Sequence, residues 1–179
     1  MSTLKVNSIQ NTSGQNNLGR ILQVKQTVMD NNLYWSNPTD WTDVTGLNAT
    51  ITPATTSSKI LISVQVKIAT AHNGDLVAAL ALKRGGSMLS YTNYQNWGYG
   101  DYHYYFDAND DTLGGPHATF TRLDSPSTTS STTYQVVHRP GASTWNNQNT
   151  YINRSNRSEN DWYNCAHVRS TITLMEVSA

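Results

Sequence analysis

The chain has 179 residues, enough for one domain with a short appendage. Charged residues make up 13% and the formal net charge is zero, which argues against nucleic acid as a partner. Phosphate neutralisation needs clustered Lys and Arg, and the densest basic spots, Lys83-Arg84 and Arg154 with Arg157, are too small for such a footprint.

The first predicted element is a leader, residues 1–18. Its opening run, Ser2 to Gly14, alternates polar and apolar residues and ends in an Asn/Ser/Gly turn cluster. Leu4, Val6 and Ile9 are its apolar anchors. A lone strand has neither ladder partners nor a core beneath it. The segment therefore reads as an attachment leader that winds with copies of itself or docks on another protein. It lacks the apolar core of a signal peptide, and no later stretch of about 18 apolar residues predicts a membrane span.

Residues 19–179 read as the body. Arg20–Met29 is the first strand, followed by a brief Trp41–Val44 and by Thr45–Ile51, which Pro53 stops. Lys59–Ala69 is the clearest: Ile60, Ile62, Val64, Val66 and Ile68 alternate with mostly polar residues, so one face is core. Leu76–Lys83 has some helical spacing, but it runs into Gly85-Gly86, a hairpin turn signal. It is read as a hairpin with Met88–Tyr91. Ala118–Leu123, Thr132–His138 (ended by Pro140), Thr150–Asn153 and Val168–Val177 complete the set. Long loops are expected at Tyr94–Pro116 and Ser143–Asn149. Roughly eight strands at about ten-residue spacing point to an all-β antiparallel sandwich or barrel. Asn, Thr and Ser fill about a third of the chain, yet 5 Trp and 10 Tyr favour a packed fold over disorder. With Cys165 as its single cysteine the chain forms no internal disulfide, which suits assembly in a reducing cytoplasm. Four sequons, at Asn11, Asn48, Asn153 and Asn156, arise by chance in so Asn/Ser/Thr-rich a chain.

The sharpest constellation is aromatic. Tyr91, Tyr94, Trp97, Tyr99, Tyr102, Tyr104, Tyr105 and Phe106 are interleaved with Asn93, Gln95, Asn96, His103 and Asp107. Flat rings stack on the apolar face of a sugar while amides and carboxylates bond its hydroxyls, and Tyr and Trp give rigid contact area with a polar handle. Tyr94, Trp97, Tyr99, Tyr102 and Tyr104 are therefore the candidate ligand-binding residues, although rings of this kind also plug a sandwich end or a subunit interface. The glycines around Trp97 are expected to weaken regular pairing there. His72, His103, His117, His138 and His167 show no metal-type spacing and read as hydrogen-bonded surface or interface groups. Asp107, Asp110 and Asp111 miss the calcium-loop pattern. The two glutamates, Glu159 and Glu176, do not suggest a glycosidase pair. No nucleophile elbow or phosphate loop occurs. The expectation is no enzyme, no catalytic residues, no metal and no cofactor.

The leader Ser2-Thr3-Leu4-Lys5-Val6-Asn7-Ser8-Ile9-Gln10-Asn11-Thr12-Ser13-Gly14 resembles the opening of tail-fibre and virion structural proteins of tailed phages, particularly those infecting marine cyanobacteria. Later segments are similar to the globular tip domain that follows such leaders. They include Gly19-Arg20-Ile21-Leu22-Gln23-Val24, Thr42-Asp43-Val44-Thr45-Gly46-Leu47, Leu123-Asp124-Ser125-Pro126 and Tyr151-Ile152-Asn153-Arg154-Ser155. The resemblance implies a virion component, usually trimeric, without catalytic residues. The expected body is thus a jelly-roll-like sandwich. It forms a homotrimer, attaches to other virion proteins through its leader, and presents the aromatic segment to a host surface glycan. The alternative is a head or tail decoration or adaptor protein that binds only other virion proteins.

Overall fold

The computed structural model describes residues 20–36, 38, 40–71, 76–89, 92–94, 97–106, 117–140, 149–154 and 168–178. They form thirteen strands and no helix. In chain order these are β1 (Ile21–Met29), β2 (Leu33–Ser36), β3 (Thr42–Ile51), β4 (Lys59–Ala71), β5 (Leu76–Arg84), β6 (Ser87–Met88), β7 (Thr92–Tyr94), β8 (Trp97–Tyr99), β9 (Tyr102–Phe106), β10 (His117–Asp124), β11 (Thr132–Pro140), β12 (Asn149–Ile152) and β13 (Ser170–Val177). The leader, with Leu4, Val6 and Ile9, lies outside the described residues.

One antiparallel sheet runs β1-β13-β4-β12-β2, with β10 on the other edge of β4. The second runs β3-β11-β5-β6, with β9 also on β5. β7 and β8 form a separate two-stranded hairpin. The alternation in β4 explains the layering. Ile60, Ile62, Val64, Val66 and Ile68 are all fully buried, because a period of two puts them on one face. They join Ile172 and Leu174 from β13 and Ala118 and Phe120 from β10. Val44, Leu47, Ala49 and Ile51 from β3, Leu80 and Leu82 from β5, and Tyr134 and Val136 from β11 close the same core from the second sheet. The two sheets thus enclose one interior, the arrangement of a β-sandwich.

Three elements differ from the sequence reading. β3 is continuous from Thr42 to Ile51. Gly46, at φ +88°, absorbs a register shift against β11 between Gln135 and Val137, so it bulges the strand instead of ending it. β2 was not expected. It is held on β12, with Trp35 opposite Thr150 and Leu33 opposite Ile152. The expected loop at Tyr94–Pro116 contains β8 and β9, and Pro140 is the last residue of β11. The turn at Gly85-Gly86 forms as expected, both glycines having positive φ, but the returning strand is Ser87–Met88 instead of Met88–Tyr91, and Tyr91 lies outside the described residues.

Buried polar groups lock the corners. Asn153, at φ +63° and buried, donates from Nδ2 to the carbonyls of Met29 (2.8 Å) and Asn31 (3.0 Å). Its Oδ1 accepts from Ser170 Oγ at 2.5 Å, and its backbone N–H donates to Lys67 O. Glu176 is fully buried without a cation: Ala54 N–H donates to one oxygen (2.7 Å) and Gln23 Nε2 to the other (2.6 Å). Burial would raise its pKa, but bonds from Ser58, Gln23 and Ala54 outweigh it and hold the carboxyl below its usual value.

Candidate binding site

The aromatic segment leaves the body after β6 and returns at β9. Its departure is fixed by Leu89, whose N–H donates to Leu82 O (2.9 Å) and whose side chain packs on the core. Its return is fixed by Gly100, which lies against the backbone of Leu80. A Cβ at Gly100 would sit 2.0 Å from Leu80 O and 2.9 Å from the Trp41 ring, so a side chain there is sterically excluded.

One side chain spans both ends. Arg122, on the edge strand β10, donates from one terminal nitrogen to Leu89 O (3.1 Å) and pairs through the other with Asp101 Oδ1 (2.5 Å). The guanidinium fork suits this double task, because its rigid plane holds two acceptors at once. Two residues along β10, Asp124 faces the same way. It accepts from Arg84 NH1 (2.8 Å) and from Tyr134 Oη (2.6 Å). Tyr134 is fully buried, and its pKa is raised by burial and by the Asp124 carboxylate. Arg122 and Asp124 together form a polar seam where β10 meets the second sheet.

Between the clamped ends, β7 and β8 pair in the register Thr92–Tyr99, Asn93–Gly98 and Tyr94–Trp97. The candidate residues therefore divide. Tyr94 and Trp97 are the pair nearest the hairpin turn, and Tyr99 is opposite Thr92. Gly98 takes part in the ladder, contrary to the expectation that glycine would disrupt pairing around Trp97. Tyr102 and Tyr104 belong to β9, opposite Leu80 and Ala78 of β5. Tyr102 is half-buried against the core, which fits a structural task for that ring. The cluster Asp107, Asp110 and Asp111 lies outside the described residues, as do Cys165 and Glu159.

His138 departs from the sequence reading. It is fully buried between the sheets, not at a surface, and its ring contacts Trp35 with centroids 4.2 Å apart. Burial pushes its pKa down to about 4. His117 is exposed. Among the described residues no group of three or more His, Cys, Asp or Glu side chains could hold a metal ion. Asn153 and Glu176, both buried and multiply hydrogen-bonded, do not stand out in the sequence because most of their partners lie far along the chain. Comparison with protein families and with curated proteins finds no match for this chain.

Proposed function

We propose that this chain is a non-enzymatic virion protein of a tailed phage, a homotrimeric tail-fibre tip that recognises a host surface glycan. The observation that carries the reading is the hairpin β7–β8: a Tyr/Trp-bearing excursion whose two ends are fixed to the body by Arg122. A rigid base under a short aromatic hairpin suits a recognition element, because ordering it on contact costs little conformational entropy.

The body is read as a jelly roll. Its eight principal strands pair as a rolled-up hairpin: β1 with β13, β3 with β11, β4 with β10 and β5 with β9. First pairs with last and fourth with fifth, and the pairs fall alternately in the two sheets. This architecture recurs in viral capsid and lectin domains, and that support is a fold-level analogy. The leader, residues 1–18, is assigned attachment to the particle through Leu4, Val6 and Ile9. Three identical sites per tip would raise avidity without tight single-site affinity.

A second reading, a head or tail adaptor that binds only virion proteins, is favoured by Tyr102, which packs on the core. Trp97→Ala separates the two. Under the recognition reading, the oligomer and its melting temperature stay unchanged while adsorption of particles to host cells falls sharply, the loss of one stacking ring compounding over three sites. Dissociation of the oligomer would assign the ring to an interface. Unchanged adsorption with the oligomer intact would remove the hairpin from recognition.

A further inference from the structure

Four residues along β11 from Tyr134, the space between the sheets turns polar without being satisfied. His138 is fully buried, and neither of its ring nitrogens has a hydrogen-bond partner. Its register neighbours are Thr42 on β3 and Leu80 on β5, and Trp35 on β2 covers its ring. None of these can pair with the imidazole as placed. In the other sheet, Thr150 of β12 is the direct partner of Trp35. Cross-strand partners project from the same face, so the Thr150 hydroxyl enters the interior on the side where Trp35 meets His138. That hydroxyl is buried and unpartnered too.

Orphaned polar atoms of this kind are rare in native interiors, and two from facing sheets beside one ring are rarer still. Each would carry its full desolvation cost, and a marginally stable domain tolerates few such losses. The donor and acceptor set is complementary to a single species. A neutral imidazole offers one donor and one acceptor, and a hydroxyl offers both. Water needs two to four such partners, and buried water commonly fills this role. We propose that His138 and Thr150 form a binding site for buried water that bridges the two sheets beside Trp35. The bridge makes β2 and β12 dependent on β11, although no strand ladder connects them. The lowered proton affinity of His138 fits the site, since the neutral ring keeps one nitrogen free to accept from water.

The isosteric variant Thr150→Val tests this directly. If the hydroxyl is a true orphan, valine removes a buried polar group without loss of shape, and the melting temperature holds or rises. If it ligates water, valine removes one ligand and leaves His138 unsatisfied, so the melting temperature falls. His138→Phe is combined with it. Water shared between the two residues predicts that the double variant loses less than the sum of the two single losses, whereas additive losses overturn the bridge. Should His138→Phe fail to fold, magnetisation transfer from water to the His138 ring protons in the wild-type protein supplies the second measurement. Slow-exchanging bound water gives a cross-peak of the sign expected for a long-lived complex. A cross-peak absent at every mixing time refutes the site.

Discussion

Replacing Asn153 should destabilise the body more than any other single polar substitution in it. The side chain makes three hydrogen bonds, to Met29 O, to Asn31 O and from Ser170 Oγ. Each contributes about 1 kcal/mol net, and stranding the buried partners adds to that, because an unsatisfied buried group costs about 1–3 kcal/mol. The residue also holds φ +63°, which asparagine tolerates and alanine resists at about 1–2 kcal/mol. Asn153→Gly removes the bonds without backbone strain and should cost about 3 kcal/mol; Asn153→Ala adds the strain and should reach about 4 kcal/mol. Urea denaturation followed by circular dichroism would read both as shifts in midpoint at constant slope. The partner variant Ser170→Ala loses the bond to Asn153 and the one from Lys67 N–H, so its loss and that of Asn153→Gly should not add. The hub is refuted if Asn153→Ala costs less than 1 kcal/mol, or if the two losses sum independently.

Val64→Asp places an uncompensated charge at the centre of β4, where Val64 is fully buried between Ile172 and Phe120. The cost is several kcal/mol, comparable with the stability of a whole domain, so soluble protein with an unchanged melting temperature would contradict the layering. His138 has a folded pKa of about 4 against an ordinary 6.5, so the unfolded chain binds more protons between these values. Stability is then full above pH 6.5 and falls by about 3 kcal/mol as pH drops through 4; denaturation midpoints for wild type and His138→Gln from pH 7 to 4 should diverge over that window, and parallel curves would exclude His138 as the source. Glu176, whose pKa is also depressed, acts in the same direction at lower pH. Glu176→Gln keeps the shape but replaces one acceptor oxygen by a donor facing Gln23 or Ala54, and should flatten the acid limb below pH 4.5 while lowering stability at neutral pH. Arg122→Ala should release both ends of the aromatic excursion, seen as faster amide hydrogen exchange in residues 89–101 with protection in β4 retained; unchanged exchange would show that the clamp is redundant.

The sequence and the structure agree where a single periodicity decides the outcome. The alternation from Ile60 to Ile68 needs no knowledge of the rest of the chain, and β4 runs as expected with two further residues. Agreement fails where a distant partner decides. β2 is a four-residue piece, Leu33–Ser36, closed in by Asn32 and by Asn37-Pro38, and it becomes a strand because β12, more than a hundred residues later, supplies a ladder. The run from Trp41 to Ile51 reads as two strands split between Val44 and Thr45, but Gly46, over Met29 and within the register shift between Gln135 and Val137, makes it one bulged strand. The aromatic run is visible as composition, yet its division at Gly100 into a two-stranded hairpin of its own and a strand of the second sheet depends on contact with Leu80. Motifs such as Tyr151-Ile152-Asn153 were recognisable as strings. Their physical content, a left-handed asparagine tying three strand ends together, emerges once Met29 and Ser170 are brought beside them.

Arg20 and Ser178 are joined by two hydrogen bonds, the N–H of each donating to an oxygen of the other. The body therefore begins and finishes at one point in space. A module of this shape can be spliced into a surface loop of an unrelated host protein without stretching that loop, since the gap it must bridge is about one strand spacing. It can also be re-cut, with its two ends fused and new ones opened at an exposed turn such as Gly85-Gly86, where a side chain added at either glycine would meet nothing within 4 Å. Such a body can be exchanged between carriers as a unit.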